Sequence, residues 1–300
     1  MPRKKTSRNK KKYNHKRTHK KEYCAPSSEN TIISGVKTCY TNDKLQKMRH
    51  YWNKRHPDAL ITSTKPQEIW HSFKNYMSNV CNTERCWLKQ KYISESNDFD
   101  LLNYTFVPDS PMSWHKDPNE WLTSIDIENV MKQYEKAYPC FQFLGPSPID
   151  FDKKKSGNTC VWDELCHFSL VNFIQRGCNK IGIIFNTDPH YMNGSHWIAL
   201  FVNIKQKYIY YFDSVAHPAP KEVIVLMKRI ADQGKELNID FTIMKNKVQH
   251  QKSNTECGMY CLYFIINSLK DKHPERSMKD RIPDEEMEKF RKIYFNPKEV

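Results

Sequence analysis

The sequence predicts an α+β fold, a mixed β-sheet flanked by helices, and three stretches carry that expectation. Residues 257–269 are apolar on every side of a helical projection, the pattern of a helix buried in the middle of a domain. Residues 197–204 and 208–212 are rich in Ile, Val, Tyr and Phe around a short polar break, which reads as a β-hairpin. Residues 180–186, Lys-Ile-Gly-Ile-Ile-Phe-Asn, form a continuous apolar run of the kind found in strands covered on both faces. Helices alternate with these strands along the chain, so they are expected to cover the sheet.

Three hundred residues with 38% hydrophobic content suffice for one large domain or two modest ones. The formal net charge of +14 is concentrated at the start, where residues 1–22 hold eleven Lys or Arg and almost nothing apolar. That segment is expected to be a disordered basic tail, continuing as linker to residue 35. Charge without base-reading features suits non-specific contact with phosphate backbones, which makes nucleic acid its expected partner. Docking on acidic protein surfaces, a nuclear import signal and a merely solubilising tail are the alternatives. No apolar run reaches eighteen residues and the beginning is polar, so neither a membrane-spanning helix nor a secretory signal is expected. Ten cysteines without a small-scaffold spacing fit a reduced intracellular protein with free thiols.

Residues 36–115 read as a helical N-terminal extension. Leu45, Met48, Tyr51 and Trp52 recur at helical spacing, and Ile69, Trp70, Phe73, Tyr76 and Met77 form one stripe of a helix over 66–80. Cys81 and Cys86 have the spacing of half a zinc site, but no second pair completes it, so no metal is expected. A Pro-rich stretch then leads to a second unit, residues 116–300. Its expected elements begin with a helix opening at Trp121, with Leu122, Ile125, Val130, Met131 and Tyr134 on it. An amphipathic helix using Trp162, Leu165, Phe168 and Leu170 precedes strand 180–186 and the hairpin. A helix over 220–236 with Val223, Leu226, Met227 and Ile230 on one side, a strand over 239–244 and the central helix follow, and a basic stretch after Lys270 reads as solvated helix and loop.

Cys257 falls in the first turn of the central helix. The positive end of the helix and its unpaired N–H groups favour an anion there, the form in which a thiol attacks carbonyls, and can cradle the oxyanion that results. Gln251, six residues upstream, offers a side-chain amide as a second oxyanion donor. In the hairpin, a loop centred on Lys205 and Gln206 sets Asp213 opposite Ile198. Asp213 is then on the face of His196 and diagonal to it at about 7–8 Å, whereas a slip of one residue would put the two on opposite faces. Nucleophile, base and orienting acid are thus all present. A structural reading of each residue, as a buried cysteine, an edge histidine and a strand-ending aspartate, is the alternative. A rival nucleophile, Cys160, would precede His196 and Asp213 in papain-like order, but Lys154 occupies the position where a Gln is wanted and no Gly follows the cysteine.

His196-Trp197, Asp213-Ser214, Gln251 and Cys257-Gly258 resemble the ubiquitin-like-protein-specific cysteine proteases, the desumoylase clan that includes the adenovirus protease, in residue type, order and separation. Trp121-Leu122 followed by Ile125 and Ile127 looks like that clan's substrate-side segment. The match spans residues 121–269 and departs from cellular members at Glu256, where they carry Asp before the nucleophile, and at Ser124, where they carry an Asp that helps hold the modifier protein. The resemblance implies a papain-like core, catalysis by His196, Asp213 and Cys257 without a cofactor, and an oxyanion site at Gln251. It also implies a narrow tunnel between Trp121 and Trp197 that admits Gly-Gly or Ala-Gly before the cut. The extension, with Cys39-Tyr40 and Cys86-Trp87-Leu88, looks like that of proteases from large double-stranded DNA viruses, which process structural precursors. That implies the virion and infected-cell cytoplasm, against the nucleus for a cellular desumoylase. A non-catalytic virion scaffold that binds nucleic acid is the remaining alternative.

Overall fold

The computed structural model describes residues 22–298 except residues 30, 34, 156 and 158; the basic segment 1–21 lies outside the described residues. The chain opens with the short strands β1 (Ile32–Ile33) and β2 (Val36–Lys37), then five helices: α1 (Asn42–Arg55), α2 (Pro66–Met77), α3 (Glu84–Leu88), α4 (Lys91–Ser94) and α5 (Phe99–Asn103). These pack around Tyr40, Leu45, Met48, Trp52, Phe73 and Trp87. Residues 23–35, expected as linker, belong to this body. Ala25 donates to the Thr105 carbonyl, and Cys24 is bonded to Cys39.

The second body begins with α6 (Ser124–Ala137), β3 (Phe141–Phe143), β4 (Ser147–Pro148), α7 (Asp163–Cys166), α8 (Leu170–Gln175), β5 (Lys180–Asn186), β6 (Trp197–Asn203) and β7 (Tyr208–Phe212). It continues with α9 (Lys221–Glu236), β8 (Thr242–Lys245), α10 (Cys257–Leu269), α11 (Pro274–Ser277) and α12 (Asp284–Tyr294). The sheet runs β3-β5-β6-β7-β8, with β4 beside the far end of β5. β3 and β4 lie parallel to β5, β8 lies parallel to β7, and the pairs β5–β6 and β6–β7 are antiparallel, which makes it the expected mixed sheet.

Alternation along the strands splits the core in two. Ile184, Trp197, Ala199, Phe201, Tyr208, Tyr210 and Phe212 face α10 and α6, while Ile181, Ile183, Phe185, Ile198, Leu200, Val202, Ile209 and Tyr211 face α8 and α9. The period of two explains why β5, β6 and β7 are apolar throughout: both faces are covered. Gly182 lets α10 lie close, since a Cβ there would meet the Phe141 ring at 3.0 Å and Ile265 at 3.1 Å.

Several expectations are corrected. Cys24–Cys39, Cys81–Cys86 and Cys160–Cys166 are disulfides, not free thiols. Chain folding brings each pair within reach, with Cα separations of 5.1, 5.5 and 6.2 Å, and sequence spacing does not disclose that. The helix expected to open at Trp121 starts at Ser124, capped by a Thr123–Asp126 capping box. Ile125 lies off the buried stripe of Ile127, Val130, Met131 and Tyr134 and points outward, 67% exposed. Tyr76 leaves the apolar stripe of α2 for the surface, where it stacks on Trp52. The expected helix over 162–170 is broken into α7 and α8. The stretch after Lys270 is not merely solvated: Met278, Met287, Tyr294 and Phe295 join the core beneath α10.

Candidate active site

α10 begins at Cys257, whose side chain is free and buried. Gly258 beside it lets Leu122 lie close, since a Cβ there would meet Leu122 at 3.1 Å. One turn further on, burial pushes the thiol of Cys261 well up, with the charges of Cys257 and Asp213 adding to it, so Cys261 stays an inert neutral neighbour. Cys160 offers no nucleophile, since its sulfur is bonded to Cys166. Among the described residues, only Cys160, Cys166 and His167 gather His, Cys or acidic donor atoms within 4.8 Å of one another, and that disulfide joins two of the three.

His196 immediately precedes β6 and Asp213 immediately follows β7. Ala199 pairs with Phe212, so the register continued by one residue sets Asp213 opposite Ile198, as the sequence suggests. The turn spans Ile204 to Lys207, closed by the Lys207 amide on the Ile204 carbonyl (3.3 Å). Lys207 takes φ 55°, where glycine is commoner. One residue added on each side of Lys205-Gln206 leaves the register unchanged. His196 and Asp213 therefore share a face, and His196 Nε2 lies 2.7 Å from Asp213 Oδ1.

The Asp213 carboxylate is buried and fully occupied. Its Oδ1 also accepts from the Val215 amide (3.0 Å), and its Oδ2 accepts from the His217 amide (3.1 Å). Asn246, just beyond β8, clamps the Asp213 backbone. Its Oδ1 accepts from the Asp213 amide (3.0 Å), and its Nδ2 donates to the Asp213 carbonyl (2.7 Å).

With Nε2 engaged by Asp213, Nδ1 is the ring nitrogen left over, and the Cys257 side chain is among the groups that act on the imidazole. Burial alone would lower the imidazole pKa, but the hydrogen bonds to Asp213 and Cys257 and the charges of both outweigh it and raise it to about 9. The sign follows: the imidazolium is the favoured form at neutral pH and loses its proton as pH rises through about 9. If that proton is delivered to the leaving amine, kcat/KM on an uncharged peptide should hold through neutrality and fall on an alkaline limb near pH 9. A loss of rate beginning near the ordinary histidine value of ~6.5 would contradict it.

Gln251 is buried in the approach loop to α10. Its Oε1 accepts from Ser214 Oγ (2.6 Å), and one Nε2 hydrogen goes to the Ser253 carbonyl (2.7 Å). The second Nε2 hydrogen has no acceptor among the described residues. The Ser214 carbonyl also accepts from the amides of His250 (2.8 Å) and Gln251 (2.9 Å). Ser214, the residue after Asp213, thus ties the acid strand to the Gln251 loop. Trp197 is buried and donates from Nε1 to the Leu122 carbonyl (3.0 Å), which anchors the segment bearing Trp121. Trp121 itself is 38% exposed.

Sequence reasoning missed three supporting side chains. Asn246 carries no local signal. Asp284, at the start of α12, accepts from the amides of Lys252 and Ser253, each at 3.1 Å, and from Tyr260 Oη at 3.1 Å, fixing the loop before Cys257. Arg291 forms a buried pair with Glu256, its Nε 2.9 Å from Oε2. Met287, Arg291 and Tyr294 fall on one helical stripe, and a charge inside an apolar stripe was the available signal.

Residues 177–299 match the family model described as the Ulp1 protease family, C-terminal catalytic domain. The chain is 36% identical over 270 residues to the SUMO-1 cysteine protease of African swine fever virus, covering 85% of this chain and 96% of that one. It is 29% identical over 282 residues to a protein of Acanthamoeba polyphaga mimivirus designated a thiol protease, covering 86% and 89%. Its fold is similar to the crystal structure of the African swine fever virus protease, with a TM-score of 0.62 at 22% identity over 92% of this chain and 96% of that chain.

Proposed function

The chain belongs to the Ulp1 family of cysteine proteases, and from that premise we propose an endopeptidase in which Cys257 is the nucleophile, His196 the base and acid, and Asp213 the group that orients the imidazole. The observation that carries this assignment is the 2.7 Å hydrogen bond between His196 and a buried Asp213, beside a free cysteine at the first turn of a buried helix whose side chain acts on the same imidazole. The thiolate adds to the scissile carbonyl. The oxyanion is taken by the Cys257 amide and by the uncommitted hydrogen of Gln251 Nε2. His196 protonates the departing amine, and water, deprotonated by the same imidazole, then releases the acyl group from sulfur. No cofactor enters this sequence.

We assign the substrate as a polypeptide cut after Gly-Gly or Ala-Gly. Trp121, 38% exposed and next to Leu122, whose carbonyl holds the Trp197 indole, supports this, since two indoles lining one cleft leave room for little more than backbone. Trp121→Ala tests it better than a change at Trp197, whose indole is part of the core. The expected result is a relaxed requirement for Gly before the cut, and an unchanged requirement would remove Trp121 from the specificity site.

The relatives are viral, which makes the setting an infected cell. Within it we place the enzyme in the virion and infected-cell cytoplasm, processing structural precursors. The name of the swine fever relative, a SUMO-1 cysteine protease, favours a second reading, removal of a ubiquitin-like modifier. Purified protein offered Gly-Gly-X peptides and a folded ubiquitin-like precursor separates the two: cutting of the peptides alone supports precursor processing, and efficient cutting of the folded modifier supports the second.

We also assign nucleic-acid contact to the basic segment. Glu22 pairs with Arg85, so the segment to remove is 1–21. Its deletion should weaken DNA binding and flatten the salt dependence while sparing peptide cleavage. Loss of cleavage as well would refute that division of labour.

A further inference from the structure

We infer that Arg291 is a positioning residue for the nucleophile, acting through Glu256 to hold and neutralise the turn from which Cys257 projects. The inference rests on the reading of Cys257 as the attacking group.

Glu256 occupies the N-cap position of α10, where a short polar side chain commonly turns back onto the helix amides, yet it makes no such bond. Both its oxygens instead receive Arg291 Nε, at 3.1 and 2.9 Å. The two side chains are 1% and 4% exposed. Arg291 Nη2 reaches the carbonyls of Thr255 (3.5 Å) and Asn119 (3.4 Å), and the guanidinium lies over the Trp114 ring at 4.6 Å. One planar cation therefore ties together α12, the segment leading to Trp121 and the last residues before the nucleophile.

Position gives this pair a consequence beyond packing. A carboxylate on the residue before Cys257 opposes the development of a second negative charge on the thiol, and burial strengthens that opposition. The guanidinium cancels the carboxylate at contact distance and leaves the end of α10 to favour the anion. The pair also fixes the Glu256 backbone, whose carbonyl accepts the first helical hydrogen bond from Tyr260 (2.9 Å). That sets the direction of the adjacent Cys257 N–H, an oxyanion donor in the proposed mechanism.

The test compares Arg291→Met with the charge-neutral double variant Glu256→Gln/Arg291→Met in the full chain. The readouts are kcat, KM and the rate of Cys257 alkylation by iodoacetamide, mapped by mass spectrometry. Arg291→Met should lower kcat and alkylation about tenfold with KM changed by less than about twofold, and the double variant should recover most of the loss. A double variant as slow as the single one would overturn the inference, as would a loss matched by the fraction of unfolded protein. If Arg291→Met does not fold, Arg291→Lys keeps the charge without the planar fork. Its kcat and alkylation rate should then stay within about threefold of wild type at constant KM, and a tenfold loss would overturn the proposal. Alkylation mapped to a cysteine other than Cys257 would overturn both this inference and the nucleophile assignment beneath it.

Discussion

Cys257→Ala should abolish peptide hydrolysis, with a loss on the order of 10⁶-fold in kcat, the size seen when a covalent catalyst loses its nucleophile. The side chain is small and lies at a helix end, so the change leaves the fold intact. The remaining free thiols among the described residues do not substitute. Cys261 is wholly buried one turn below, and Cys140 and Cys178 flank β3 and β5 at the end of the sheet near Lys180, away from the His196 end of β6. The variant should still bind Gly-Gly peptides, because the tryptophans and the Gln251 loop are untouched. Retained turnover in purified Cys257→Ala protein would end the covalent mechanism proposed for this chain.

Asp213→Asn should lower kcat by roughly 10³–10⁴-fold while leaving the backbone in place, the scale of loss when a triad acid is replaced by its amide. The hydrogen bonds show why an isosteric change is so costly. Oδ1 accepts from both His196 and the Val215 amide, and Oδ2 accepts from the His217 amide. If the asparagine sets its NH₂ toward His196, it also meets the Val215 N–H, the imidazole must accept there, and the ring proton moves to the nitrogen that should take one from the thiol. If the NH₂ instead faces His217, two donors meet in a buried site, at a cost of about 1–3 kcal/mol. Either orientation removes the charge that balances the imidazolium. The alkaline limb near pH 9 should shift down in this variant, since the hydrogen bond and charge of Asp213 help hold the His196 value up. A variant within tenfold of wild type would mean that Asp213 does not orient the base.

The hairpin geometry could be read from the sequence because a two-face strand pair leaves few choices. Once β6 and β7 are both buried, only registers of the right parity place His196 and Asp213 on one face, and the polar break at Lys205-Gln206 picks the observed one. α10 was legible for the same reason: twelve of its thirteen residues are buried, and apolarity on every side allows no other placement. The supporting shell was not. Asn246, Asp284 and Arg291 act on the site from 33, 24–32 and 35 residues away along the chain, through side-chain hydrogen bonds whose partners no local pattern names. The disulfides escaped for a related reason, because Cys24 and Cys39 meet only after β1 and β2 pair and reverse the chain between them. Ile125 misled because it is apolar and close to the helix start, although it lies off the i, i+3, i+4, i+7 stripe of Ile127, Val130, Met131 and Tyr134 that takes the core face.

The most direct test of the central claim is to react the full chain with a peptide ending in Gly-Gly that carries a vinyl sulfone at the position of the scissile carbonyl, and to locate the adduct by mass spectrometry. The mechanism predicts a single adduct on the sulfur of Cys257, formed far more slowly in Asp213→Asn. An adduct on Cys140 or Cys178, or none at all while Gly-Gly peptides are still cut, would contradict it.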